Sequence, residues 1–264
     1  MSYVRRWEDK RRTAMLVPSV VRPIEPPLPL GPMVSAPRWF AALTTALGLP
    51  ENKGQIMYQL ASVDANGSPH VRTIGHRGFI EPEDSPHLPL LMSATDIRTA
   101  KVAQILANPH VELIWWLSGS MEQFRLSGLV RLVPPPDAQL PVQPTKLSSS
   151  TFDKLDGQGF DWEKKRQEAY DGQPPFLRAG FARPPPGSII ENYDVGKSWA
   201  GVVPKLTDAQ NEEEKHAYER GLRNFALMFI EPVEVDWLQL KEKPNRRTKF
   251  IRKGEEWSEY VAVP

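Results

Sequence analysis

The chain contains no cysteine. That excludes a disulfide framework, a thiolate nucleophile and any Cys-ligated zinc or iron–sulfur centre. Histidine is scarce as well. His70, His76, His87, His110 and His216 are scattered, without metal-ligand spacing such as HExxH. Neither sign of charge is in excess: the formal net charge is +1, so no broad basic surface for nucleic acid or membrane is expected, and any anion recognition is local. No apolar run approaches the length of a membrane span. The opening "MSYVRRWEDKRRTAM" lacks the apolar core of a signal peptide, and a cytoplasmic location is expected.

What is present is ordinary in bulk and unusual in one respect. The 264 residues, 40% hydrophobic and 25% charged, can bury a full-sized core as one large domain or two small ones. The 27 prolines are concentrated in a few segments. In "VPSVVRPIEPPLPLGP", residues 17–32, they enforce extended chain. Such a segment could be a polyproline ligand for an SH3-type domain or an arm over its own domain or a partner subunit. Its aliphatic content favours the arm. The expected organisation is a Pro-rich arm over 1–34 and a single domain over 35–264, with an inserted loop and helical region at about 134–222.

"SAPRWFAALTTALGLP" predicts a short helix, capped by Ser35 and stopped by Gly48 and Pro50, with Trp39, Leu43 and Leu47 on one stripe. "QIMYQLASV" and "HVRTIGHRGFI" flank the turn "DANG" as an antiparallel pair. "HLPLLMSA" predicts a third strand. "TDIRTAKVAQILANP" predicts a helix capped at Thr95 or Asp96. "VELIWWLS" reads as a strand buried on both faces, and "EQFRLSGLVRLV" alternates between apolar and polar positions. Three strands, a helix and two strands are the order of a small antiparallel barrel with one helix across it. Polar helices follow at "DWEKKRQEAYDG" and "NEEEKHAYERGLRNF", then strands at "FALMFIEP", "VEVDWLQLK", "RTKFIR" and "WSEYVAVP".

Two stretches carry chemistry. In "TDIRTAK", the hydroxyls of Thr95 and Thr99 and the cations of Arg98 and Lys101 crowd a helix start, where free N–H groups also favour an anion. The bland alternative is a surface helix with solvated charges. In "HVRTIGHRGF", Arg72 and Arg77 are separated by roughly 16 Å of strand, too far for one small anion. An elongated ligand could meet both if Gly75 and Gly78 allow a bulge that brings them to one face. Otherwise one pairs with a carboxylate and the other is solvated.

"RTIGHR", "TDIRTAK", "NPHVELIWW" and "EQFRLSG", in that order, resemble the FMN-binding split barrel of the pyridoxamine 5′-phosphate oxidase family, in its divergent oxidase-like branch. The resemblance implies a mainly β fold with α decorations, an antiparallel, Greek-key-like split barrel that binds FMN. It implies a homodimer with flavin sites at the interface and a small-molecule substrate. By that resemblance Arg72 pairs with the FMN phosphate and opens a flavin-binding strand continuing through Thr73 and Ile74. Arg77 lies near the flavin ring and the substrate phosphate. Thr95 matches a threonine on the strand-to-helix turn and Lys101 a phosphate-binding lysine, and Arg98 compensates for a basic neighbour that is Ala100 here; Thr99 is a further cofactor-binding candidate from the helix start. Gln123 meets the polar edge of the ring, Trp237 closes the site, often from a second subunit, and Lys249 stands for an arginine near the flavin.

Two departures concern the substrate. The family's Arg-x-His pair reads Asn245-Arg246-Arg247, leaving Arg247 as the substrate-side candidate, and its Tyr-x₃-Arg-x₃-Ser motif is absent from "TFDKLDGQGFDWEKKRQEAYDGQPPF". The flavin cradle is matched and the pyridoxal cradle is not. An FMN-dependent oxidoreductase with an altered substrate site is expected. The alternatives are a flavin-binding sensor, carrier or partner-binding module, and a Pro-rich adaptor with a structural barrel. No Ser-His-Asp arrangement is recognisable, and no catalytic residue is named.

Overall fold

The computed structural model describes residues 36–141 and 150–264. The proline-rich segment, and with it Ser35, lies outside the described residues. Fourteen elements matter to the site. Helix α1 (Arg38–Gly48) leads into strands β1 (Met57–Val63), β2 (Pro69–Ile80) and β3 (Leu90–Asp96). Helix α2 (Ala100–Ala107) separates these from β4 (His110–Leu117) and β5 (Glu122–Val133). Helices α3 (Ser150–Gly157), α4 (Trp162–Asp171), α5 (Pro175–Ala182) and α6 (Glu212–Asn224) follow, before β6 (Phe225–Gln239), β7 (Arg246–Lys253) and β8 (Glu256–Ala262).

All the strands join one sheet in the order β3-β2-β1-β4-β5-β6-β7-β8, and a further β3–β6 pairing closes the first six into an antiparallel barrel. Period-2 alternation sorts the side chains. Leu60, Leu113, Leu126, Val235 and Phe250 stand opposite one another across successive strands and fill the interior. Their neighbours Gln59, Ile114, Arg125, Asp236 and Lys249 form the outer row. Trp39 and Leu43 of α1 pack into the same interior core, as the helical stripe requires.

β6 serves two cores. Met228 and Ile230 face the barrel interior, whereas Phe225, Leu227 and Phe229 pack with Phe152, Tyr170 and Tyr218 of the helical region. A strand apolar on both faces needs cover on both, which explains why the insertion docks here.

Four expectations need correction. α1 is capped by Pro37, so the helix begins one residue after it. β4 is not buried on both faces: it alternates, and Trp116 is 40% exposed. "FALMFIEP" and "VEVDWLQLK" are one strand, β6. It runs through Pro232 because a bulge opposite Ser127 and Gly128 accommodates a residue that cannot donate to the ladder. Lastly, α2 begins at Ala100. Thr95 and Asp96 remain in β3, paired with Ala226 and Phe225, and the Asp96 carboxylate accepts from the backbone N–H of Arg98 at 2.9 Å instead of capping a helix.

Candidate functional site

Among the described residues, the first half of β2 is ladder-bonded on one side only. β1 pairs with Pro69 through Gly75, whereas the pairing with β3 begins at His76. Thr73, exposed and on the outer face, and Ile74, buried in the barrel core, therefore lie on a stretch of strand with one free edge.

At the start of that stretch Arg72 stands opposite Leu60, on the interior side, and its guanidinium reaches toward α2. Nη1 donates to Ser62 Oγ at 2.6 Å, to His70 O at 3.1 Å and to Leu60 O at 3.2 Å, while Nη2 donates to Gln104 Oε1 at 2.6 Å. Ser62 Oγ also donates to Gln104 Oε1, at 2.8 Å. Each acceptor is neutral, so the cation is oriented without being neutralised.

Lys101, in the first turn of α2, donates from Nζ to Thr95 Oγ1. Burial pushes its ammonium down to about 8; the Arg72 guanidinium adds to the fall and Asp96 opposes it. Two cations thus stand together at a half-buried place, the Arg72 charge depressing that of Lys101, with Thr95 and Thr99 hydroxyls 3.5 Å apart beside them. Thr99 Oγ1 donates to Asp96 O at 2.9 Å. A phosphate monoester is a partner this cation pair fits: it supplies the missing negative charge and accepts from both cations, with the two hydroxyls beside it.

Arg98 is placed differently. Its Nε and Nη2 hold Asp96 Oδ1 and Oδ2 at 2.9 and 2.6 Å, and Nη1 and Nη2 also donate to Arg183 O and Phe181 O at 2.9 and 3.1 Å. With its donors so occupied, it joins the β3–α2 turn to the end of α5.

Arg77 is the third cation. The expected bulge is present, between His76 and Gly78, and Gly78 has φ +125°. It does not bring Arg77 to the side of Arg72. The Arg77 guanidinium folds back over Gly75, whose partner Met57 marks the outer face. Nη1 donates to His76 O at 3.3 Å, and Nε is buried without a partner. Next to it, burial and the Arg77 charge lower His76 to about 4, so the ring is neutral at ordinary pH, packed against Phe79 and Trp115. Tyr58, hydrogen-bonded to Ser93 at 2.5 Å, is raised chiefly by burial.

The remaining candidates divide by face. Gln123 is on the outer face between Trp116 and Leu238. Lys249, also outer, is 3.5 Å from Glu234. Arg247 holds Asp236, which Arg125 also approaches, Nη2 to Oδ2 2.7 Å. Burial pushes the Asp236 carboxyl up, but the bonds from Arg247 and Arg125 outweigh it and hold it below the usual carboxylate range. Trp237 is on the opposite, interior side: 8% exposed, stacked on Phe124 and donating Nε1–H to Glu122 Oε1 at 2.9 Å. The structure thus brings together Arg72, Thr95, Thr99 and Lys101, and separates Trp237 from Gln123. Sequence reasoning missed Ser62, Gln104, Arg125 and Asp236. Strand register shows Ser62, Arg125 and Asp236, the packing of α2 against β1 and β2 shows Gln104, and Arg125 alone had a signal, its place on the polar side of an alternating strand.

Among the described residues no group of three or more His, Asp or Glu could hold a metal ion, and no helix is long and apolar enough to cross a membrane.

A closed six-strand antiparallel barrel with helices docked on it is the fold of the FMN-binding split barrels. Residues 36–134 match the family model described as "Pyridoxamine 5'-phosphate oxidase, FMN-binding domain", and FMN is the cofactor that this model describes. The chain is 28% identical over 193 residues to "Pyridoxine/pyridoxamine 5'-phosphate oxidase 2" of Arabidopsis thaliana, covering 73% of this chain and 76% of the relative. Among solved structures, a pyridoxamine 5′-phosphate oxidase-related, FMN binding protein from Nostoc punctiforme PCC 73102 is 26% identical. It aligns with TM-score 0.62 over 88% of this chain and 100% of its own. PhzG from Burkholderia lata 383, in complex with tetrahydrophenazine-1-carboxylic acid, shares the fold at 14% identity, TM-score 0.54, over 86% of this chain and 89% of its own.

Proposed function

We propose that this protein is an FMN-dependent oxidoreductase acting on a small molecule, with a substrate site altered from that of pyridoxamine 5′-phosphate oxidases. The observation that carries the reading is the Arg72–Lys101 pair, two half-buried cations whose hydrogen bonds go to neutral groups beside the Thr95 and Thr99 hydroxyls. In this reading these four residues hold the FMN phosphate. The cofactor runs along the free edge of β2 past Thr73 and Ile74, with Arg77 and Gln123 serving the ring end. FMN supplies hydride exchange at its ring; the protein supplies orientation, charge and exclusion of water. Lys249 is kept as a ring-side candidate and Trp237 as a buried support.

Arg247 bears on the substrate half. Its guanidinium is committed to Asp236, so an anionic substrate would have to compete with a carboxylate already in place. This favours a second reading, a flavin-binding protein with little turnover. The proposed assembly is a homodimer located in the cytoplasm. Met57, Val71 and Trp116 on adjacent strands β1, β2 and β4 are exposed apolar groups on the outer face, as a face awaiting a second copy would have.

The test is to purify the protein, record its visible spectrum and release any chromophore by heat. A colourless protein that takes up no added FMN would sink the reading. If flavin binds, anaerobic reduction by NADH, NADPH or pyridoxamine phosphate distinguishes enzyme from binder. A monomer by light scattering would remove the interface site.

A further inference from the structure

Gly75 lies mid-strand with an ordinary backbone, so no turn or positive φ requires glycine there. What a side chain would meet is specific. A Cβ at this position would stand 3.0 Å from Nη1 of Arg77 and 3.4 Å from its Cζ and Nη2. The guanidinium rests against the space where that carbon would be, and the three nearest atoms to the missing Cβ all belong to this one group.

We infer that Gly75 is a positioning residue, whose absent side chain is the seat that holds the Arg77 guanidinium at the ring end of the flavin site. The inference rests on the FMN reading above for the identity of the ligand, and on geometry alone for the seat. Several features make the position consequential. Among the described residues no carboxylate pairs with Arg77; its Nη1 donates to the carbonyl of its neighbour His76, and its Nε is buried without an acceptor. A cation so weakly tethered takes its position from the surface it rests on. On the other side, His76 is fixed by ring contacts with Phe79 and Trp115, centroids 4.4 and 5.0 Å away, so the carbonyl that meets Nη1 belongs to a rigid residue. Seat and tether together fix a free positive charge, and a fixed charge stabilises a developing anion better than a mobile one.

Because the atoms in the way are the far end of a flexible side chain, Gly75→Ala costs little stability but displaces the guanidinium. The experiment has two arms. In the apoprotein, phenylglyoxal modification of Arg77, followed by peptide mass spectrometry, should be severalfold faster in Gly75→Ala than in the wild type. In flavin-loaded protein, sulfite adds through its sulfur lone pair to the ring N5 and leaves negative charge on the ring. Its dissociation constant should rise about tenfold in Gly75→Ala, while FMN affinity, set at the phosphate end, should stay within about twofold. In an Arg77→Ala background, Gly75→Ala should add nothing further to the sulfite effect. The inference is overturned if Gly75→Ala leaves both Arg77 reactivity and sulfite affinity at wild-type values, or if its sulfite effect is undiminished without Arg77. A wild-type protein that takes up no FMN overturns the flavin assignment, while the modification rates still decide the seat.

Discussion

The guanidinium of Arg247 lies against the carboxylate of Asp236, Nη2 2.6 Å from Oδ2 and Nε 2.9 Å from Oδ1. Arg125 meets the same carboxylate from the other side. One buried anion thus holds two partly exposed cations in register across β5, β6 and β7. The Asp236 carboxyl is held below its ordinary value, so the stabilisation it gives is present above the usual carboxylate range and is lost as pH falls through the lower folded value. Asp236→Asn should therefore melt below the wild type at neutral pH, and the two melting curves should converge on acidification. Thermal unfolding of both proteins from pH 7 down to pH 3 checks this.

Arg72→Ala should weaken FMN binding by about a hundredfold, in line with loss of a charge-assisted phosphate contact of roughly 2–3 kcal/mol. Arg72→Lys should recover part of it, since a point charge cannot bond Ser62 and Gln104 as the planar fork does. Titration by quenching of flavin fluorescence reads both.

Lys101 should give the apoprotein a pH signature of the same sign as that of Asp236 but in the alkaline range. Its ammonium is lowered from 10.5 to about 8, so between those values the unfolded chain binds more protons than the folded one. Stability of the apoprotein should rise with pH across that window, and Lys101→Met should abolish the rise. Affinity for inorganic phosphate should fall above pH 8 in the wild type and be low and flat in the variant. Urea unfolding and calorimetric titration measure the two effects.

Gly128→Ala should destabilise the fold while sparing the cofactor. A Cβ there would stand 2.5 Å from the carbonyl oxygen of Glu231 and 3.1 Å from Ile230 Cγ2, and backbone cannot step aside as a side chain can. A loss of about 1–3 kcal/mol is expected, with unchanged FMN affinity in the fraction that remains folded. Denaturant midpoints and flavin titration on the same samples separate the two.

Much of the barrel was legible because its signals are local. Alternation in "EQFRLSGLVRLV", the "DANG" turn and the breaks around α2 gave the order of β1 to β5 without long-range information. A motif series marked Arg72, Thr95 and Lys101 as candidates, and the structure brings them together. Positions set by competition between partners were not. Asp96 reads as a helix cap until Arg98, two residues later, takes its carboxylate. Pro232 reads as the end of a strand until the bulge at Ser127 and Gly128 makes room for it. The Asp236 cluster depends on cross-strand register, which alternation fixes only as to face and not as to partner. Trp237 was assigned a place at the flavin by resemblance, and the parity of β6 puts it among Phe124 and Arg38.

Arg98 makes its longest-range bonds to the backbone carbonyls of Phe181 and Arg183, not to their side chains. A joint of that kind is blind to sequence on one side. The helical insert can change its residues at will near the joint, provided α5 still ends there, and its angle to the barrel is kept by a residue that belongs to the barrel. The same turn that gathers Thr95, Thr99 and Lys101 is therefore also a fixed mounting, onto which evolution, or a protein engineer, can bolt a different cover while the cradle beneath goes unaltered.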